Sequence, residues 1–213
     1  MDLLGVMAYG ELSAFERLSS DARYSPSLHD RAVLGRIAVI EFQHYELVSA
    51  KLDAMGLDPE AAMLPFQPSV DHFHERTRPA DWHESLMKAY VIDTVSADFY
   101  RAISRYVDAG TRALVEQIQA DEEATAVLRE RLKSALADDP RLASRLALWA
   151  RRLLGEALTQ AQRVSFEHAF IGGLAGADDD GSTGDGSKEL VRGLMAELAA
   201  NHSRRMTQLG LAG

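Results

Sequence analysis

Apolar residues recur at intervals of three and four along almost the whole chain, whereas alternating, β-branched runs bounded by turns are scarce. That periodicity predicts helices throughout and gives strands no support. A first helix is expected over about Leu3–Ala22, with Leu4, Ala8, Glu11, Phe15 and Leu18 on its inward stripe. Pro26 and Ser27 open a second, whose stripe reads Leu34, Ile37, Glu41, His44, Val48 and Leu52 until Gly56 and Pro59 close it. Residues 57–81 contain Pro59, Pro65, Pro68 and Pro79 and read as a crossover between helices that are not hairpin neighbours. A third helix over about 82–107 presents Leu86, Ala89, Asp93, Ser96, Tyr100 and Ile103 on one face. After the turn at Asp108-Ala109-Gly110, a fourth carries Leu114, Ile118, Asp121, Thr125, Leu128 and Leu132. Four helices joined through one long crossover are the layout of a four-helix bundle.

The last third supplies two further helices, one from Pro140 to about Gly172 and one over Lys188–Leu209. They are expected to pack across the bundle or to form a contact between two copies, which makes a homodimer the expected assembly. Residues 176–187, rich in Gly, Asp and Ser, read as a flexible acidic loop between them. Asp178, Asp180 and Glu189 mimic a calcium loop, but Thr183 stands where the glycine at its sixth position is needed. The expected organisation is one domain over 1–213, with a four-helix bundle core in 1–137 and the additional helices in 138–213.

Composition narrows the chemistry. The chain has 213 residues, 46% hydrophobic and 26% charged, enough for a sizeable core under a solvated surface. No apolar run approaches the roughly 20 residues that span a bilayer, and Met1-Asp2 lacks the positive start of a secretory signal, so a cytoplasmic protein without membrane association is expected. The absence of cysteine removes disulfides, thiolate zinc sites, iron–sulfur clusters and thiol nucleophiles. A net charge of −9 opposes nonspecific attraction to nucleic acid. No phosphate-cradling glycine loop, Ser-His-Asp arrangement or dinucleotide fingerprint is present.

Within this frame, ionisable groups interrupt the apolar stripe of four successive helices, although a buried charge is costly unless paired or metal-bound. Glu11 lies mid-stripe on the first helix, and Glu41 with His44 forms Glu-x-x-His on the second, one turn apart on one side. Asp93 and Asp121 occupy the third and fourth. Thirty residues separate Glu11 from Glu41 and 28 separate Asp93 from Asp121, so two antiparallel pairs would set all four acids in one layer. Glu11, Glu41, His44, Asp93 and Asp121 are therefore the candidate metal ligands. Oxygen donors with imidazole suit iron or manganese.

A complete di-metal set would place a second histidine three residues after Asp121, and that position is Ala124. Water, Glu122 or His202 would be the substitutes. The competing reading takes the acids as a buried polar network with arginines or with Tyr9, Tyr45, Tyr90 and Tyr100. His202 reads as a hydrogen-bonded core histidine, and Glu156 as a helix anchor. His72 and His74 read as surface or loop-anchoring residues of the crossover.

The runs Leu4-Gly5-Val6-Met7-Ala8-Tyr9-Gly10-Glu11-Leu12-Ser13-Ala14-Phe15, Glu41-Phe42-Gln43-His44-Tyr45-Glu46-Leu47 and Phe73-His74-Glu75-Arg76-Thr77 carry a resemblance, as do Gly155–Val164 and the ending around His202–Leu209. Together, over nearly the whole chain, they resemble the actinobacterial ferritin-like proteins related to the tRNA isopentenyladenosine hydroxylase. The resemblance implies an all-α ferritin-like four-helix bundle with two additional C-terminal helices. For the hydroxylase it implies a non-haem di-iron monooxygenase that activates oxygen to hydroxylate a modified adenosine in tRNA, so tRNA or a small molecule is the substrate implied. Glu11, Glu41 and His44 match that metal-binding pattern. Asp93 and Asp121 match it with the shorter acid, and Ala124 departs from it.

Overall fold

The structure, a computed structural model, describes residues 2–120, 122–167 and 183–211. Among them every regular element is helical: α1 (Asp2–Asp21), α2 (Leu28–Ala54), α3 (Pro59–Met63), α4 (Gln67–Arg76), α5 (Trp82–Ser104), α6 (Ala109–Gln119), α7 (Glu123–Asp138), α8 (Leu142–Glu167) and α9 (Thr183–Gln208). Local chemistry sets the ends. Ser27 caps α2 by accepting from the Asp30 amide, and Asp81 and Asp108 cap α5 and α6 in the same way. At the far end of α2, Gly56 takes a positive φ of 73°. The Leu57 amide then donates to the Leu52 carbonyl and the Gly56 amide to Asp53, which satisfies the last carbonyls of the helix.

The long pair α1 and α2 packs together, and α5 lies across α1, α6, α7, α8 and α9. Two apolar clusters result. One gathers Leu4, Met7, Val48, Leu52, Phe66, Ile103, Val115 and Leu198; the other gathers Leu34, Met87, Tyr90, Leu128, Leu132, Leu146 and Leu153. Along α1 the first cluster ends at Ala8 and the second begins at Leu18, and along α2 the second runs to Ala38 and the first begins at Val48. Glu11 and Glu41 fall in these intervals, so a polar layer crosses the bundle between two apolar ones. The close approach of α1 to α3 depends on Gly5, where a Cβ would lie 2.1 Å from the Ala62 carbonyl oxygen. Gly5→Ala is expected to destabilise the protein by about 1–3 kcal/mol through this overpacking, read as a lower urea midpoint.

Several expectations are corrected here. The crossover carries two short helices of its own, because Pro59 and Pro68 sit in the first turns of α3 and α4, where a missing amide costs nothing. The fourth helix is two, α6 and α7. Three successive acids, Asp121, Glu122 and Glu123, follow α6, and negative charge is disfavoured at a helix C-terminus and favoured at the N-terminus that α7 begins there. The last helix starts at Thr183, so the acidic loop expected over 176–187 is helical in its final residues. The rest of that loop, with Asp178 and Asp180, lies outside the described residues.

The C-terminal helices are tied to the bundle by ion pairs. Arg76 donates from Nε to both carboxylate oxygens of Glu156 at 2.9 Å, joining α4 to α8. Buried Asp98 on α5 accepts from Asn201 and Arg205 of α9 at 2.9 and 2.8 Å. These helices therefore pack across the bundle, one of the two arrangements expected for them. No helix among the described residues is long and apolar enough to cross a membrane.

Candidate metal centre

Three of the five residues singled out in the sequence meet in the polar layer. Glu11, Glu41 and His44 each bring one ligating atom to within 4.8 Å of the others. His44 Nδ1 lies 3.7 Å from Glu11 Oε2 and 3.9 Å from Glu41 Oε2. The convergence follows from helical spacing: Glu41 and His44 share one side of α2, and the antiparallel α1 presents Glu11 at the same depth. Both glutamates are only 8% exposed.

Burial dominates the electrostatics. It pushes Glu11 up to about 7, against a hydrogen bond from Glu41 that lowers it, and the Asp93 carboxylate raises it further. Burial also holds Glu41 well above the ordinary carboxylate range, reinforced by the charge of Glu11 and by donation to it. Two carboxyls thus share one proton in a site where a second negative charge is unfavourable. A divalent cation would replace that proton and neutralise both, and His44 supplies the nitrogen donor. The donor set fits iron or manganese on these grounds.

Asp93 lies beside the trio, close enough for its charge to raise both glutamates. The Thr125 hydroxyl donates to Asp93 Oδ2. This contact changes the reading of the fourth helix. Ala124 is buried with Leu128 and Leu132 in the second apolar cluster and does not face the layer. The residues of α7 that face it are Thr125, Ala126 and Arg129, with Glu122 just ahead of the helix. Thr125, three residues after Glu122, is therefore the position from which a histidine would reach Asp93. Asp121 lies outside the described residues. Thr125→His is expected to add a nitrogen donor next to Asp93 and to raise the metal bound per chain above wild type, measured by elemental analysis.

Tyr100 closes the layer on the α5 side. Its phenol is buried among Glu11 and Glu41, which raise its pKa together with burial, and a Cβ on Gly10 would come within 2.7 Å of its hydroxyl. Tyr9 donates instead to Asp71 at 2.7 Å. His202, weighed as a substitute ligand, is buried away from the trio with neither nitrogen hydrogen-bonded, and burial lowers its pKa to about 4. It is therefore not the hydrogen-bonded core histidine the sequence suggested.

A cavity of about 450 Å³ opens from the centre and runs between α1, α4, α5 and α8. Besides the ligand trio and Asp93, it is lined by Arg17, Asp21, Ser69, Phe73, His74, Lys88 and Gln160. His74 belongs to α4 and is 7% exposed, so it is a wall of this cavity and no surface or loop residue.

Helical order, the crossover and the acid layer point to one fold family, and residues 1–178 match the ferritin-like domain of actinomycetes. The chain belongs to that family. As an actinomycete ferritin-like domain it shares its fold with the crystal structure of a candidate class I ribonucleotide reductase from Bacillus halodurans. The TM-score is 0.65 at 15% identity, covering 99% of this chain and 79% of that one. No curated protein matches the sequence. In this ferritin-like domain the carboxylate–histidine trio is the candidate metal site.

Proposed function

We propose that this protein is a metal-dependent oxidase or hydroxylase in which Glu11, Glu41 and His44 hold iron or manganese next to a substrate cavity. The observation that carries the reading is the buried, proton-sharing Glu11–Glu41 pair with His44 against it, opening onto a cavity of about 450 Å³. Bound iron would supply one-electron chemistry with oxygen, which no protein side chain provides. The protein's own residues do the rest. Glu11 and Glu41 balance the cation's charge, and His44 completes three protein donors, which leaves coordination positions open. The apolar clusters on either side keep both glutamates buried, and low dielectric strengthens the interactions within the layer.

Asp93, held by Thr125, stands where a second cation would need its carboxylate, with no imidazole three residues on from Glu122. One well-furnished metal position and one poorly furnished position are the arrangement we infer. A small organic molecule is the substrate class that the cavity favours. The modified adenosine of tRNA implied by the sequence resemblance ranks second, because a net charge of −9 opposes the long-range attraction of a polyanion.

The test is ferrous oxidation. Metal-free protein mixed anaerobically with ferrous iron and then exposed to oxygen is expected to form a ferric absorption band faster than buffer alone, and Glu11→Ala is expected to abolish the difference. Equal rates in wild type, variant and buffer would overturn the proposal.

A further inference from the structure

The arm of the cavity remote from the metal centre has a polar wall that the ligand trio does not use. Six residues of α1, about 9 Å of helix axis, separate Glu11 from Arg17, and Arg17, Asp21, Lys88 and His74 line the cavity at that end. Lys88 is 5% exposed, and its ammonium donates to the Thr77 carbonyl at 2.9 Å and lies 5.6 Å from the Phe73 ring centroid. An ammonium has three donors, and one of these goes to Thr77. A further polar atom is buried there without a partner: His74 Nδ1, on a residue 7% exposed. Buried polar atoms of this kind are rarely left unsatisfied, and each costs about 1–3 kcal/mol.

The charge of the arm is set by Arg17 at its mouth, Lys88 within it and Asp21 opposite, where Ser85 donates to Asp21 at 3.1 Å. Two cations against one anion leave an excess of positive charge next to the unsatisfied His74 nitrogen. Burial lowers Lys88 to about 8, offset in part by Asp21 and reinforced by Arg17 and Arg78. It holds His74 to about 2, so the imidazole is neutral and Nδ1 can present either a proton or a lone pair. The rest of the arm is apolar, formed by Leu18, Val70, Phe73, Ala89 and Ile92.

We propose that this arm binds an organic acid, with its carboxylate between Lys88, Arg17 and His74 and its apolar body extending along Phe73 and Ile92 toward the metal centre. Binding as such does not depend on the metal. The further step, that the acid is the molecule oxidised, rests on the function proposed above.

The experiment is calorimetric titration of the full chain with octanoate, octanol and inorganic phosphate. Octanoate is expected to bind and octanol to bind at least about tenfold more weakly, since one charge-assisted hydrogen bond is worth about that ratio. Lys88→Met and His74→Phe, each confirmed folded by circular dichroism at the titration temperature, are expected to weaken octanoate about tenfold or more. Glu41→Gln is expected to retain octanoate binding, so a failure of the metal reading leaves this one standing. Equal affinity for octanoate and octanol, phosphate binding as tight as octanoate, no binding of octanoate, or unchanged affinity in both arm variants would each overturn the proposal.

Discussion

Replacing Glu41 by glutamine is expected to lower metal affinity roughly 100-fold or more, because even the partners behind a ligand are worth about 10–100-fold. The substitution keeps the shape of the side chain and removes its charge. In the metal-free protein Glu41 donates a proton to Glu11, and a glutamine amide can donate in its place. The variant therefore retains the hydrogen bond while losing one of two carboxylates that repel each other. Its metal-free form is expected to melt at or above the wild-type temperature at pH 8, while elemental analysis finds metal only in the wild type. Loss of metal together with a large loss of stability would instead show Glu41 to be a structural residue.

The metal-free wild type is expected to lose stability as pH rises through neutrality. Glu11 and Glu41 both have raised affinity for protons in the folded state, so the folded chain holds protons that the unfolded chain releases above about 4.5. Stability from that source is fully present below the unfolded value and is lost as pH rises through the folded one. His74 and His202 act in the opposite direction below about 6.5, because burial lowers them and the unfolded chain then binds more protons. The carboxyl effect is therefore read between pH 6.5 and 8, where a net fall of about 1 kcal/mol is expected: each carboxyl contributes at most about 1.4 kcal/mol per pH unit, and Lys88, lowered by burial to about 8, opposes it in part. Urea titrations at the two pH values check it. Added ferrous iron, kept anaerobic, is expected to remove the fall, since cation binding displaces the shared proton. A metal-free protein whose stability rises over this window would contradict the electrostatics of the centre.

The long elements and half of the centre are legible in the sequence because they are local. Ser27 and Gly56 bound α2 by capping chemistry, and Glu41 and His44 share a face through a spacing that no tertiary contact alters. Glu11 needs only the antiparallel pairing of α1 with α2 to meet them. The fourth helix is harder, since Ile118, Thr125 and Leu128 keep a helical interval across a break that periodicity does not register. The signal that marks it is the acid run at 121–123, which suits a helix start, and in the helix that begins there Thr125 bonds Asp93 while Ala124 packs into the second apolar cluster. His74 was hidden for a different reason. Prolines read as breakers are also good first-turn residues, and with Pro68 in that role the segment around His74 becomes a buried helix. The cavity wall formed by Arg17, His74 and Lys88 joins α1, α4 and α5, a juxtaposition that only the packed structure supplies.

In the function proposed above, Glu11, Glu41 and His44 hold a metal ion. Anomalous difference density from crystals of iron-loaded protein, collected on both sides of the iron edge, tests it most directly. A peak in bonding contact with both carboxylates and with the His44 imidazole is expected. A map with no peak among these three side chains, from protein that elemental analysis shows to carry iron, would contradict it.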